Sequence, residues 1–274
     1  GIDQLTSRAT TPEVAQRISD AGLGVLVYPE LGMNARALAL AGLRLAPLQC
    51  AAWGHPVTSG AETVDVYFSC AAMEPEDAAA HYSERLLLLP GLGTCYAPPE
   101  APEAAGRQTL GLPEEGPLLF FPHSLFKIHP DDDALLVSVL RANPGAVAVM
   151  FEAELPEVTR DYRERLNARM RAAGADDRRV LFLPPMPRHR FLQVCGHCAA
   201  MLDCLRWSGG NTSIDALSMG VPVLTKPGAM MRGRQTAGML RIMGMNELIA
   251  GSVSELESLA GRILSDPAWR QELS

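Results

Sequence analysis

The sequence predicts an α/β protein built of two Rossmann-like lobes, the first of them incomplete. Three observations carry this. Short, near-continuous apolar runs alternate with helical patterns along most of the chain, as parallel strands covered on both faces do. One stretch, Pro98-Pro99-Glu100-Ala101-Pro102-Glu103-Ala104-Ala105-Gly106, breaks the alternation. The alternation is more regular after this break than before it.

The first lobe takes residues 1–97. Thr11-Pro12-Glu13 opens a helix, with Thr11 as N-cap and Pro12 at the first helical position. Apolar runs at 24–28, 48–53 and 64–68 read as strands. A doubly wound sheet uses about five or six strands, so the N-terminal half of this lobe reads as missing. The chain also opens on Gly1 rather than Met, as a processed chain or a fragment does. Residues 98–106 form the linker, because Pro fixes φ and removes backbone donors. A solvated loop inside one domain has the same composition.

The second lobe takes residues 107–274. Strands are expected over 118–121, 147–151, 180–183, 200–203 and 221–224. Helices fall between them, over 132–141, 155–173, 190–198 and 213–219. Ser254-Glu255-Leu256-Glu257 has capping-box spacing and starts a C-terminal helix, which Asp266-Pro267 restarts.

Composition narrows the function. Lys and Arg number 24 against 31 Asp and Glu, a net charge of −7. A binder of nucleic acid or of anionic membranes needs the opposite balance. No apolar run reaches the roughly 18 residues of a membrane span, and no signal segment opens the chain. The six cysteines at 50, 70, 95, 195, 198 and 204 lack the regular spacing of a disulfide framework. They point to a reducing compartment, the cytoplasm.

Three stretches can carry chemistry. In the first, the 200–203 strand runs through Asp203 and Trp207 into Ser208-Gly209-Gly210-Asn211-Thr212-Ser213-Ile214-Asp215. Two glycines permit close backbone approach, and a helix starts at Thr212 or Ser213. Its first N–H groups lack internal partners and sit at the positive end of the helix dipole, which suits a diphosphate. The hydroxyls of Thr212 and Ser213 add donors, and the Asp215 carboxylate could accept from a ribose hydroxyl. The same spacing fits a tight strand-to-helix turn with an ordinary cap.

In the second stretch, Pro122-His123-Ser124-Leu125-Phe126-Lys127-Ile128-His129-Pro130 follows the lobe's first strand, at the sheet edge where open α/β folds bind ligands. Lys127 there can neutralise charge on a departing phosphate; a solvated loop Lys is the ordinary alternative. The third is Gly54-His55-Pro56-Val57-Thr58-Ser59-Gly60, a small, polar loop fit to line a cleft, in which His55 is either catalytic or structural. Cys195, Cys198 and Cys204 admit a zinc reading, but 195 and 198 share helical spacing with Phe191 and Leu192, as core cysteines do. Asp131-Asp132-Asp133 is explained more simply by a first helical turn than by a metal.

Taken together, these stretches resemble the O-GlcNAc transferase/SPINDLY-type glycosyltransferases, especially their bacterial members. Further matching segments are Leu45-Ala46-Pro47-Leu48-Gln49, His81-Tyr82-Ser83-Glu84-Arg85-Leu86 and Leu89-Pro90-Gly91. Gly220-Val221-Pro222-Val223-Leu224-Thr225-Lys226-Pro227-Gly228 and Arg232-Gly233-Arg234-Gln235-Thr236-Ala237-Gly238-Met239 complete the run. Each motif alone is weak, while their order and spacing together are specific.

The resemblance implies a GT-B fold and inverting transfer without a bound metal or other cofactor. The donor it implies is a nucleotide-diphospho sugar, UDP-GlcNAc, and the acceptor a Ser or Thr hydroxyl of a protein. Related bacterial enzymes modify Asn, and plant relatives can use a fucose donor. Lys127 matches the lysine on the diphosphate, Thr212 and Ser213 the hydroxyl pair, and Asp215 the ribose carboxylate. Gly209, Gly210, Asn211 and Ser124 fall in the same donor site; Asn211 stands where some members have His and the Asn-modifying relatives Asn. Phe191 (or His189) takes the place of the residue beside the base. His55 lies in the sugar-side loop, and Arg234 matches a recurrent Arg with an equally good structural reading.

The family's early N-lobe histidines and its upstream acceptor-recruiting helical repeats belong to a longer protein. Two other readings stay open. One is a nucleotide-sugar-binding scaffold or sensor without activity. The other is a different GT-B enzyme, against which Asn-Thr-Ser-x-Asp stands where such enzymes often carry a Glu-rich motif.

Overall fold

The computed structural model describes residues 9–97 and 99–273, so residues 1–8, Pro98 of the expected linker and Ser274 lie outside the described residues. The chain divides into two compact units, one of residues 1–95 with 230–232, the other of 96–229 with 233–274. Residues 99–106 therefore group with the second unit rather than standing between the two. Hydrogen bonds explain this: Gln193 Nε2 donates to the Glu103 carbonyl (2.7 Å), and the His197 ring bonds that of Ala105 (2.7 Å).

The first unit contains α1 (Thr11–Asp20), β1 (Val25–Tyr28), α2 (Ala35–Ala41), β2 (Leu48–Ala52), β3 (Val66–Cys70) and β4 (Arg85–Leu89). The strands form one parallel sheet in sequence order, β1-β2-β3-β4. Thr10, not Thr11, is the N-cap of α1, and Glu13 accepts from its backbone N–H (2.7 Å). Asn34 caps α2, its side chain accepting from the N–H groups of Arg36 and Ala37. β4 is a fourth strand where three were expected. Its unbroken leucines gave no alternation to read, and its pairing with β3, Val66 opposite Arg85 through Cys70 opposite Leu89, is a tertiary fact.

The second unit runs β5 (Leu118–Phe120), α3 (Pro130–Ala142), β6 (Val147–Phe151), α4 (Pro156–Ala172), β7 (Val180–Leu183), α5 (Arg188–Gly196), β8 (Ala200–Leu202), α6 (Asn211–Ser218), β9 (Val223–Leu224), α7 (Gln235–Met243), α8 (Val253–Ser265) and α9 (Pro267–Glu272). All five expected strands are present. Their sheet is parallel in the order β7-β6-β5-β8-β9. The order reverses between β5 and β8, and that crevice is where ligands of open parallel sheets bind. α8 starts two residues earlier than its expected box, with Ser252 as N-cap accepting from Glu255 N–H (3.1 Å).

Successive residues of β5 face opposite layers of the core. Leu119 and Phe121 pack with Leu135, Leu136 and Leu140 of α3, Leu166 of α4 and Leu256 of α8. Leu118 and Phe120 pack with Val194 and Cys195 of α5 and Ala216 of α6. Each such fully buried side chain contributes about 1.5–3 kcal/mol. Cys195 and Cys198 belong to one layer and Cys204 to the other, so the three thiols do not converge. Among the described residues, no three His, Cys, Asp or Glu side chains gather as a metal-ligating group, and no helix is long and apolar enough to cross a membrane.

Candidate active site

β8 ends at Leu202, and the loop after it is organised by Asp203. This carboxylate is sealed from solvent and accepts four hydrogen bonds: Ser208 Oγ (2.6 Å), Gly209 N–H (2.8 Å), Thr225 Oγ1 (2.8 Å) and Cys204 N–H (3.0 Å). A buried carboxylate is tolerated only with such partners. The Ser208 hydroxyl donates onward to Asp203 and lies 2.9 Å from Thr236 Oγ1 at the start of α7. Asp203 and Thr236 therefore fix the turn that carries the glycines.

The glycines enter α6 one residue earlier than expected. Gly210 is the N-cap and Asn211 the first helical residue. A Cβ on Gly209 would stand 2.3 Å from Ser213 Oγ and 2.8 Å from Thr212 Oγ1, so any larger residue there must push those hydroxyls aside. The two hydroxyls expected to face an anion have separated. Thr212 is half-buried, whereas Ser213 is fully buried and shares a hydrogen bond with Thr236 Oγ1 (2.8 Å). Ser213 thus serves the loop from beneath. Its position directly under Gly209 decides this, and sequence spacing does not contain it.

The β5 end supplies the second wall. Lys127 closes a 3-10 turn over Leu125–Lys127, its N–H donating to the Ser124 carbonyl (2.8 Å). Its Nζ lies 5.0 Å from the centroid of the Trp207 ring and 5.8 Å from that of Phe126. Trp207 is two residues before Gly209, so the cation is held against the loop that enters α6. Burial lowers the Lys127 pKa from the ordinary lysine value. The Phe126 and Ile128 neighbours behave differently from each other: Ile128 is buried, while Phe126 is 76% exposed. Trp207, missed in the sequence, holds the lysine as a cation–π partner.

The three aspartates of α3 support this wall structurally. Asp132 is fully buried and accepts from His129 N–H (2.8 Å) and from Leu205 N–H (2.7 Å). Asp131 pairs with Arg206 (2.7 Å), and Asp133 with Arg165 (2.7 Å). The first-turn reading holds for them, with the addition that Asp131 and Asp132 tie the Lys127 segment to the β8 loop.

Asp215 is buried, and its carboxylate accepts from Arg188, the first residue of α5. No spacing rule pointed to Arg188, because the partners come from different helices. One turn further along α5, Phe191 stacks with Phe120 and Phe151, both at 5.3 Å between centroids. Phe191, Phe151, His123 and Ser124 line a pocket of about 570 Å³ at the C-terminal ends of β5, β6 and β7. Arg234 precedes α7 and donates to the Gly228 carbonyl (3.0 Å), closing a loop that Gly228 N–H also closes onto the Gly233 carbonyl (2.7 Å). This bond is of the kind that the structural reading of Arg234 expects.

His55 belongs to the first unit. Tyr67 OH donates to its carbonyl (2.8 Å), and a Cβ on Gly32 would lie 2.4 Å from its ring. Its loop is clamped by Glu84, which accepts from Thr58 Oγ1 (2.7 Å), from Ser59 N–H (2.7 Å) and from the Ser59 hydroxyl. Burial pushes the Glu84 carboxyl up, but the bonds from Ser59 and Thr58 outweigh it and hold its pKa below the ordinary value.

A parallel-sheet unit with an anion-ready helix N-terminus and a desolvated lysine at its switch point, and an aromatic pocket over the neighbouring strand ends, is the construction of a GT-B glycosyltransferase. Solved structures agree. The chain is 27% identical to an O-GlcNAc transferase of Thermobaculum terrenum, with a TM-score of 0.83 over 98% of this chain and 51% of that one. Sucrose-phosphate synthase from Thermosynechococcus elongatus shares the fold alone, at 16% identity and a TM-score of 0.66 over 96% of this chain and 70% of that one. The model for Glycosyl transferase family 41 matches residues 91–274, and the chain belongs to that family. Among curated relatives, a probable UDP-N-acetylglucosamine–peptide N-acetylglucosaminyltransferase SPINDLY of Oryza sativa subsp. japonica is 28% identical over 84% of this chain and 25% of its own length. A UDP-glucose:protein N-beta-glucosyltransferase of Actinobacillus pleuropneumoniae is 26% identical over 92% of this chain and 40% of its own. The chain thus spans about a quarter of the length of the plant relatives it matches.

Proposed function

We propose that the protein, in its full-length form, moves GlcNAc from UDP-GlcNAc to a protein hydroxyl, with inversion and without a bound metal. The observation that carries this is Lys127, half-buried and held over Trp207 beside the glycines that open α6. The acceptor oxygen attacks the anomeric carbon as the bond to the β-phosphate breaks. Charge then develops on the diphosphate. Lys127 and the first N–H groups of α6 are already in place to stabilise it, in a site where burial strengthens the effect. Asn211 and Thr212 flank the diphosphate, Asp215 and Ser124 bind the ribose side, and Phe191 the base. His55 contributes from its clamped loop on the sugar side, and helical repeats upstream recruit the acceptor. The likeness to the Thermobaculum terrenum O-GlcNAc transferase supports a bacterial-type member, and the six free cysteines, five of them buried, support a cytoplasmic setting.

A second reading is glucose transfer to Asn. It is favoured by Asn211 at the helix entrance and by the likeness to the N-beta-glucosyltransferase over 92% of this chain.

Calorimetric titration in EDTA with UDP, GDP, UDP-GlcNAc and UDP-glucose tests both readings. Saturable UDP binding that Asp215→Ala abolishes supports the donor site, and the preferred sugar separates the two. In the full-length protein, Lys127→Ala is expected to slow transfer by about 10²–10³-fold, with UDP affinity falling less. Wild-type turnover in that variant removes Lys127 from the mechanism. A folded chain that binds no nucleotide favours a non-catalytic role.

A further inference from the structure

We infer that His123 is a donor-contacting residue, its Nδ1 accepting a hydrogen bond from a hydroxyl of the bound nucleotide sugar. The inference rests on the donor-site reading above and adds a residue to it.

His123 stands at the end of β5, three residues past Phe120, and is buried. Its Nε2 lies 3.0 Å from the carbonyl oxygen of Leu202, the last residue of β8. The ring therefore bridges the two strands between which the sheet order reverses. A carbonyl can only accept, so Nε2 must carry the proton. In the neutral ring this leaves Nδ1 as an acceptor. Asp203 does not compete for the ring. Its Oδ1 is 3.9 Å from Nε2, beyond hydrogen-bond reach, and its carboxylate is already satisfied by Ser208, Gly209, Thr225 and Cys204.

Nδ1 has no hydrogen-bond partner among the described residues, and it is not one of the sealed polar atoms left unpaired. His123 lines the pocket shared with Ser124, Phe151 and Phe191. Phe121 meets the ring edge-on at 4.9 Å, which fixes its plane. A buried, oriented acceptor thus belongs to a residue of the aromatic pocket wall.

The chemistry of its partner follows. A phosphate oxygen of a diphosphate has no proton to give, and Lys127 already offers the cation. The groups of UDP-GlcNAc that donate near the diphosphate are the hydroxyls of the ribose and of the sugar, with the acetamido N–H beside them; the hydroxyls are shared by every nucleotide sugar. Ribose and sugar present the same O–H to Nδ1.

Two variants separate contact from architecture. In His123→Gln, the amide nitrogen can replace Nε2 toward Leu202 while the Nδ1 acceptor is lost. In His123→Asn, the amide oxygen can replace Nδ1 while the Leu202 bond is lost. Titrating this chain with UDP, 2′-deoxy-UDP, 3′-deoxy-UDP, UDP-GlcNAc and UDP-glucose, with thermal melts alongside, reads both. The expected result is a melting point near wild type for Gln with about five- to tenfold weaker binding, and a lower melting point for Asn with affinity retained.

If UDP weakens in Gln and wild type loses the same factor on one deoxy-UDP, the partner is that ribose hydroxyl. If UDP is unaffected while UDP-GlcNAc and UDP-glucose weaken equally, it is a hydroxyl of the sugar; if UDP-glucose is unaffected and UDP-GlcNAc alone weakens, the partner is the acetamido N–H and the hydroxyl assignment is overturned. Equal binding of UDP and UDP-GlcNAc by wild type and Gln overturns the inference and leaves the donor site standing. Affinity that falls only in step with melting point, across both variants, overturns it in favour of a structural histidine. A wild-type chain that binds neither nucleotide overturns this inference together with the donor site.

Discussion

The loop at 54–60 in the first unit and the loop at 203–212 in the second are held by the same device, a buried carboxylate that gathers loop donors. The source of the carboxylate differs. Asp203 lies at the start of its own loop and binds Ser208 and Gly209 a few residues on. Glu84 begins far along the chain, after β3, and reaches back to Thr58 and Ser59. The second loop is therefore clamped in large part from within its own segment, with Thr225 and Thr236 added from later in the chain. The first is clamped by a residue that lies beyond β3. The two loops also use glycine differently. A Cβ on Gly54 would stand 2.4 Å from the Pro29 backbone carbonyl, whereas one on Gly209 would meet side-chain hydroxyls.

The largest effect is expected from Asp203→Ala. Three buried donors besides the adjacent Cys204 N–H lose their acceptor together, which costs about 3–5 kcal/mol. Chemical denaturation measures it, and a loss under about 1 kcal/mol would show that the local clamp is dispensable. Next come the glycines. Gly54→Ala forces backbone apart and should cost about 1–3 kcal/mol. Gly209→Ala should cost less, because Ser213 and Thr212 can turn, but it should weaken UDP binding through the displaced helix entrance. Equal destabilisation would erase the distinction between backbone and side-chain packing.

The smallest effect is expected from Glu84→Gln, about 1 kcal/mol near neutral pH. It carries a pH signature. Because the folded pKa of Glu84 lies below its ordinary value, its stabilisation is complete above about pH 4.5 and is lost as pH falls through the lower folded value. The wild type should thus lose more stability between neutral pH and acid than the Gln variant. Parallel acid profiles would mean that neutral hydrogen bonding, not charge, holds the loop.

The Lys127 segment was legible because it follows a strand and lies where a ligand edge must be. The glycine pair before a helix was legible for the same reason, whereas Phe191 came only from the family resemblance, with His189 as its alternative. Trp207, Arg188 and Asp203 were not legible, since each acts on a partner brought near by folding: the cation of Lys127, the carboxylate of Asp215 and the hydroxyl of Thr225. Ser213 was misplaced because a hydroxyl next to a helix start looks the same whether it faces outward or is turned under a glycine.

By itself, the sequence determined the parallel α/β class, the strands of the second unit and the anion-ready entrance to α6. These follow from apolar runs, caps and orphan N–H groups within a few residues of each other, where the chain's own stereochemistry decides. Tertiary structure alone decided the strand order β7-β6-β5-β8-β9, the pairing of β4, the cation–π seat of Lys127 and the bridge from His123 to Leu202. Those depend on which distant surfaces bury each other, and a linear pattern of apolar and polar residues does not specify that choice.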